Sequence, residues 1–288
     1  MLSNVIHATW SSVLSTLNTL TMSSEPGDLD FSLASLFDVR DKIALVTDGG
    51  SRAGAAIATA LLQNGAKVYV VCESEEISLS VKELLNDKGQ CECIVSDLKS
   101  KVGCVSLCDT FKQLEDHLNI LVNNSGATWG GNWEEFPDEV TGCLTGLLTK
   151  DATVSDPGRI INVPVVVLDD AVDSSEEHLS LSYDANKSAV SHLTTVLSIS
   201  LASKFVSVNA ILPDIEMAQI SNPAGDTISE AFVPTERVES ARDLAGILMF
   251  LVSSGGARIT GARIEAERLG LGTTNRWWGR KRPSVDGI

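Results

Sequence analysis

At 288 residues, 43% of them hydrophobic and 21% charged, the chain can bury one large core and reads as a single α/β domain with terminal extensions. Its 22 Lys and Arg against 38 Asp and Glu give a net charge of −16, which excludes nucleic acid and an anionic membrane as partners for the body of the protein. The six cysteines (Cys72, Cys91, Cys93, Cys104, Cys108, Cys143) have neither paired CxxC spacing nor accompanying histidines, so no metal site is expected, and reduced, partly buried thiols of a cytoplasmic protein are.

Residues 1–24 contain no Lys, Arg, Asp or Glu, and Leu2, Val5, Ile6, Trp10, Val13, Leu14, Leu17 and Leu20 recur at helical spacing. This predicts an amphipathic helix. It has no basic leader and its polar face is Ser, Thr and Asn, which argues against a signal peptide, a membrane span or a lipid-surface helix. Packing on the domain or on a sister subunit is the expectation. Ser23 to Asp30, with Pro26 and Gly27, reads as a linker. The division that follows is an N-terminal helix and linker over 1–35, a domain over 36–270, and a tail over 271–288.

From Asp41 the pattern alternates. Ile43 to Thr47 is a short apolar run ending at a Gly-rich turn, a helical pattern follows from Ala53 to Leu62, and Lys67 to Cys72 is a second buried run. That is a βαβ unit. Cys91–Val95, Asn119–Val122, Arg159–Val167, Ser207–Leu212 and a run near Arg263 supply five more strands, most separated by helical patterns. Near-continuous apolar strands alternating with helices imply a parallel sheet covered on both faces.

Ser182-Tyr-Asp-Ala-Asn-Lys187 opens a further apolar-periodic run. On a helix Tyr183 and Lys187 lie one turn apart on one face. An ammonium beside a phenol favours the phenolate and brings its proton exchange nearer working pH, which suits acid catalysis.

Together these segments resemble the short-chain dehydrogenase/reductase family, closest to its 3-oxoacyl reductase-like members, over about residues 36 to 270. The anchors are Leu45-Val-Thr47, Ser96-Asp-Leu98, Leu121-Val-Asn-Asn-Ser-Gly126, Gly158-Arg-Ile-Ile-Asn162, Tyr183 with Lys187, Val208-Asn-Ala-Ile-Leu-Pro213 and Ile259-Thr-Gly261. The resemblance implies a Rossmann-type, doubly wound parallel sheet of about seven strands, a homodimer or homotetramer, and reduction of a carbonyl with NADP or NAD. Tyr183 would be the proton donor, and Lys187 would lower its pKa and hold the nicotinamide ribose. Gly49, Gly50, Arg52, Gly54, Asp97, Asn123, Ser125 and Gly126 fall at positions that would hold the cofactor.

Several of these positions depart from the family pattern. The turn TGxxxGxG, whose glycines admit a pyrophosphate to a helix N-terminus, reads here Thr47 with Asp48, Arg52 and Gly54 at the glycine positions. A shifted alignment uses Gly49-Gly50-Ser51-Arg52 instead. Glu73 follows the second strand, where it would repel a 2′-phosphate or, one place beyond the family's usual acid, hold a ribose diol as in NAD-binding members. The serine expected after the fifth strand falls in Pro164-Val165-Val166, the asparagine of the preceding helix falls at Cys143, and the proline-glycine after the sixth strand is Pro213-Asp214. The loop from Leu168 to His178 is long and acidic, and Ser180, Ser182 or His178 are replacement donors if it is more than a solvated surface.

Trp129 and Trp133 follow the fourth strand at the edge where α/β sheets bind ligands, and with Val165, Asp214 and Met217 they are candidates to line a pocket for an apolar or aromatic small molecule. Arg276 to Pro283 is a basic, aromatic cluster suited to an acidic neighbouring subunit. Because cofactor and catalytic positions are lost together, the reading favoured here is a repurposed, cofactor-independent and redox-neutral enzyme: an isomerase, dehydratase or cyclase acting on a biosynthetic intermediate. The alternatives are an NAD(P)H-dependent 3-oxoacyl-type reductase and a non-catalytic family member.

Overall fold

A computed structural model describes residues 30–124, 138–164, 176–213 and 241–266. The chain divides into two compact units, Met1–Leu36 and Phe37–Ile288. Of the first, the described part is a helical turn at Leu33–Leu36, started where Ser32 accepts from the Leu36 N–H at 2.9 Å. The predicted helix over 1–24 and the tail over 271–288 lie outside the described residues.

The second unit is built on seven strands: β1 (Ile43–Val46), β2 (Lys67–Cys72), β3 (Cys91–Val95), β4 (Ile120–Asn123), β5 (Gly158–Asn162), β6 (Val206–Pro213) and β7 (Arg263–Ala266). All pair in parallel, in the order β3-β2-β1-β4-β5-β6-β7. Among the described residues six helices alternate with them: α1 (Arg52–Gln63), α2 (Glu75–Leu85), α3 (Lys101–Leu114), α4 (Asp138–Leu148), α5 (Glu176–Leu201) and α6 (Ala241–Val252). The doubly wound α/β reading of the sequence is the observed fold.

Strand side chains alternate between faces, so each strand feeds two cores. Ala44, Val46, Val68 and Val70 pack with Ile57 and Leu61 of α1, Val81 and Leu85 of α2, and Leu244 and Leu248 of α6. Ile43, Leu45, Tyr69 and Val71 pack on the opposite side with Phe111 of α3, Leu144 of α4 and Leu201 of α5. Burial on both faces is why β1 is wholly apolar and β2 nearly so, whereas the edge strands β3 and β7 carry Glu92, Arg263 and Glu265.

Two polar features of the framework were not anticipated. Arg159 of β5 is 1% exposed; its guanidinium donates to the carbonyls of Pro157 and, at 3.1 Å, of Ser253, tying β5 to the end of α6. Cys108 of α3 and Cys143 of α4 form a disulfide with their Cα atoms 6.4 Å apart, which corrects the expectation that all six thiols are reduced. The helices that carry them share one face of the sheet, so two cysteines 35 residues apart meet.

Candidate cofactor and active site

The strand order reverses between β1, which leads to β2 and β3, and β4, which leads the other way. Doubly wound sheets bind ligands outside the carboxyl ends of their strands at this switch point. Here the two flanking segments are the β1–α1 turn and the end of β4.

In the turn, Asp48 has φ +51°, a left-handed conformation that glycine adopts without cost. The backbone of the glycine turn is therefore kept although its first glycine is an aspartate. Ser51 caps α1: its Oγ accepts from the Gly54 N–H at 3.1 Å and donates to the Asp48 carbonyl at 2.8 Å. A Cβ on Gly54 would lie 2.2 Å from that same carbonyl, so this glycine is what lets the turn fold back onto the helix. Gly49 and Gly50 serve the turn's outer side, where a Cβ would run into Val70 and Ile77 respectively.

Asn124, fully buried just past β4, locks the turn from the other side. Its Nδ2 donates to the carbonyls of Thr47 and Asp48 and to Ser51 Oγ, at 3.3, 3.2 and 3.0 Å. Its own N–H donates to Thr47 Oγ1 at 2.9 Å. Asn124 Oδ1 is buried and has no partner among the described residues.

The charges around the turn come in both signs. Burial pushes the Asp48 carboxyl up to about 6, with Glu73 adding to the rise and Ser51 and Lys99 opposing it. Glu73, directly after β2, is paired with Lys99, which follows β3, at 2.6 Å. Arg52, the first residue of α1, is exposed. Lys99 is the residue that sequence reading missed. Its signal was its place two residues after Asp97 beyond the third strand, because β2 and β3 are neighbours in the sheet. Asp97 itself is exposed and accepts from the Lys99 N–H at 3.0 Å.

A buried chain of hydrogen bonds crosses the sheet's carboxyl edge beside this turn. Asn123 Nδ2 donates to Thr141 Oγ1 of α4 at 3.3 Å and to Asn162 Oδ1 of β5 at 2.9 Å. Asn162 Nδ2 donates to Thr194 Oγ1 of α5 at 2.9 Å. Thr194 follows Lys187 by seven residues and Tyr183 by eleven, two and three helical turns, so all three occupy one face of the α5 backbone. The helix face that carries the Tyr183 and Lys187 positions is thus the face anchored to the sheet.

On α4, Cys143 is committed to the disulfide with Cys108, and Thr141 is the residue that reaches the carboxyl edge. Pro164 is buried after β5, with no hydroxyl of its own. The side chains of Tyr183 and Lys187, and residues Ser125, Gly126, Trp129, Trp133, Val165, Asp214 and Met217, lie outside the described residues.

These residues fit an NAD(P) cofactor. The turn keeps its left-handed residue and its close-packed glycine, and the N-terminus of a 12-residue helix leaves the N–H groups of Arg52 and Ala53 without intrahelical acceptors, ready for a diphosphate. Arg52 and Lys99 add positive charge against Asp48 and Glu73.

The comparisons with known proteins agree. A family model described as short chain dehydrogenase matches residues 42–227. The rhamnolipids-biosynthesis 3-oxoacyl-[acyl-carrier-protein] reductase of Pseudomonas aeruginosa is 29% identical over 245 residues, covering 78% of this chain and 94% of the relative. A 3-oxoacyl-[acyl-carrier-protein] reductase of Vibrio harveyi is 29% identical over 242 residues, covering 78% and 95%. A solved complex of the Pseudomonas aeruginosa protein RhlG with NADP superposes with a TM-score of 0.66 at 27% identity, covering 80% of this chain and 96% of that one.

These findings correct the expectation of a redox-neutral isomerase, dehydratase or cyclase that uses no cofactor. Proteins similar over nearly their whole length are named as reductases, and one was solved with NADP. The sequence reading took Asp48 as a carboxylate beside two phosphates and Glu73 as repelling a 2′-phosphate. The fold gives Asp48 the glycine conformation and pairs Glu73 with Lys99.

Proposed function

Because this chain belongs to the short-chain dehydrogenase family, we propose that it is an NAD(P)H-dependent reductase of small carbonyl compounds of 3-oxoacyl type. The observation that carries this reading is the chain Asn123–Asn162–Thr194, which fixes the helix bearing Tyr183 and Lys187 against the carboxyl edge beside the β1–α1 turn.

Reduced NAD(P), when bound, supplies a hydride to the carbonyl carbon. The N-terminus of α1, with Arg52, would hold the diphosphate, and Glu73 with Lys99 would face the adenosine ribose. Tyr183 donates the proton to the carbonyl oxygen, and Lys187 favours its ionised form and so readies it to release that proton. Pro164 and Val165 replace the usual hydroxyl near the substrate carbonyl, so Tyr183 carries more of the polarisation of that bond. Trp129, Trp133, Asp214 and Met217 are the proposed contacts of an apolar or aromatic acyl group. A cytoplasmic homodimer or homotetramer completes the reading.

The test is calorimetric titration of the purified chain with NADPH and NADH, followed by consumption of the reduced cofactor with a 3-oxoacyl thioester. Micromolar binding and thioester-dependent consumption are expected. Tyr183→Phe should keep the binding and lose turnover by roughly 10²–10⁴-fold. Folded protein that binds neither nucleotide at millimolar concentration would overturn the proposal.

A further inference from the structure

The disulfide between Cys108 and Cys143 joins α3 to α4 across a sequence separation of 35 that contains the whole of β4. Both helices lie on the same face of the sheet and pack along one another. Cys108 is 1% exposed, in the core it shares with Phe111 and Leu144, whereas Cys143 is only partly buried. A reagent arriving from solvent therefore meets the Cys143 sulfur first.

The placement of α4 matters to the site. Thr141 stands two residues before Cys143 on that helix, is buried, and accepts from Asn123 Nδ2 at 3.3 Å. The same amide donates to Asn162 Oδ1 at 2.9 Å, and Asn162 Nδ2 donates to Thr194 of α5 at 2.9 Å. One continuous series of covalent and hydrogen-bonded contacts thus runs from Cys108 through α4, β4 and β5 to the helix that bears Tyr183 and Lys187. The β1–α1 turn is held separately, by Asn124.

We propose that the Cys108–Cys143 disulfide is a reversible redox site, opened by dithiols, which sets turnover by fixing α4. Its kinetic consequence rests on the reductase reading above, and its reversibility on the cytoplasmic place given there, because disulfides in a reducing compartment are mostly transient or redox-sensing. In the step, one thiolate of a dithiol attacks Cys143 Sγ. The protein S–S bond breaks, a mixed disulfide forms between Cys143 and the reagent, and Cys108 leaves as a thiolate. The second thiolate of the reagent then attacks the reagent sulfur of the mixed disulfide, closes the reagent's own disulfide and releases Cys143. The dithiol loses two electrons and two protons, and the two cysteines take them up as thiols. With the bond open α4 loses its covalent tie to α3, and the long hydrogen bond from Asn123 to Thr141 is the contact that loosens first.

The experiment compares the full chain oxidised and after reduction with dithiothreitol. Alkylation in denaturant should label Cys72, Cys91, Cys93 and Cys104 before reduction, and Cys108 and Cys143 as well after it. Turnover of NADPH with a 3-oxoacyl thioester is expected to fall about three- to tenfold on reduction, with NADPH affinity kept within about twofold, and to return on reoxidation. Cys108→Ser and Cys143→Ser should each show the reduced-state turnover and no response to dithiothreitol. Thr141→Val should lower turnover in both states and shrink the redox response, and Thr141→Ser should restore it. Hydrogen exchange read by peptide mass spectrometry needs no turnover, and over α4 it should quicken on reduction while that of α2 stays unchanged. Cys108 and Cys143 alkylated equally in both states, exchange over α4 unmoved by reduction, or turnover identical in the two states overturns the proposal. Faster exchange over α4 in a chain that turns over no NADPH in either state upholds the redox site and overturns the reductase reading instead.

Discussion

Asn162 Nδ2 sits 2.9 Å from Thr194 Oγ1 and so joins the end of the fifth strand to the sheet-facing side of the helix that carries Tyr183 and Lys187. Asn162 is 3% exposed and Thr194 fully buried. In that dry setting the Asn162 amide depends on the threonine oxygen, whose own proton goes to the Val190 carbonyl at 2.8 Å, because a buried polar group left alone costs about 1–3 kcal/mol. The same asparagine accepts from Asn123 at 2.9 Å, so one side chain holds both the β4 and the α5 contributions to the site.

Replacing Asn162 by Ala removes one hydrogen bond each from Asn123, which keeps Thr141, and from Thr194, which keeps its donation to the Val190 carbonyl at 2.8 Å. The expected loss is about 1–3 kcal/mol, read as a fall in the denaturant midpoint at unchanged slope. Turnover should fall more than nucleotide affinity, since the turn at Thr47–Ser51 is held by Asn124 instead. Thr194→Val, which keeps the shape and removes the hydroxyl, should reproduce a smaller part of both effects.

Asp48 predicts a pH dependence with a definite sign. Its folded pKa is raised to about 6 from the ordinary 3.8, so between these values the folded state binds more protons than the unfolded one. Stability therefore falls as pH rises from about 4 to 6, by about 3 kcal/mol at most, and the penalty persists above 6. Asp48→Gly removes both the carboxyl and the left-handed strain of a side chain at φ +51°. Thermal unfolding should show a higher midpoint for the variant at pH 7.5 and a smaller gain at pH 4. The same variant should bind NADPH more tightly at pH 7.5, because a carboxylate no longer faces the diphosphate.

Glu73 and Lys99 predict a change in cofactor preference. Both are well exposed, so their pairing adds little to folding, within about 1 kcal/mol. Glu73→Gln frees Lys99 for a 2′-phosphate and should shift affinity toward NADPH over NADH by about tenfold, equivalent to about 1.4 kcal/mol. Lys99→Gln should shift it toward NADH. Calorimetric titration of both variants with both nucleotides decides this, and an unchanged ratio in each would remove the pair from the cofactor site.

Much of the fold was legible because it is written in local pattern. The runs Lys67–Cys72 and Cys91–Val95 are strands with the predicted ends, whereas β5 is Gly158–Asn162 where Arg159–Val167 was predicted. A central parallel strand such as Lys67–Cys72, buried along nearly its whole length, must be apolar, and that signature needs no partner to be read. The spacing of Tyr183 and Lys187 was legible for the same reason, since four residues make about one turn of any helix.

The step from the site's charges to a cofactor-free enzyme is what the comparisons correct, and it had a physical source. Asp48 and Glu73 taken one at a time are carboxylates where phosphates belong. Sequence order separates Glu73 from Lys99 by 26 residues and Asn162 from Thr194 by 32, and only the sheet's strand order and the helix packing bring each pair within hydrogen-bonding distance. The disulfide between Cys108 and Cys143 and the buried contacts of Arg159 belong to the same class. The sequence by itself determined which segments form strands and helices, because hydrophobic periodicity is local. Which charges neutralise one another, which helix face meets the sheet and which thiols pair were decided by tertiary structure, because those interactions act over a few ångströms between residues the chain keeps far apart.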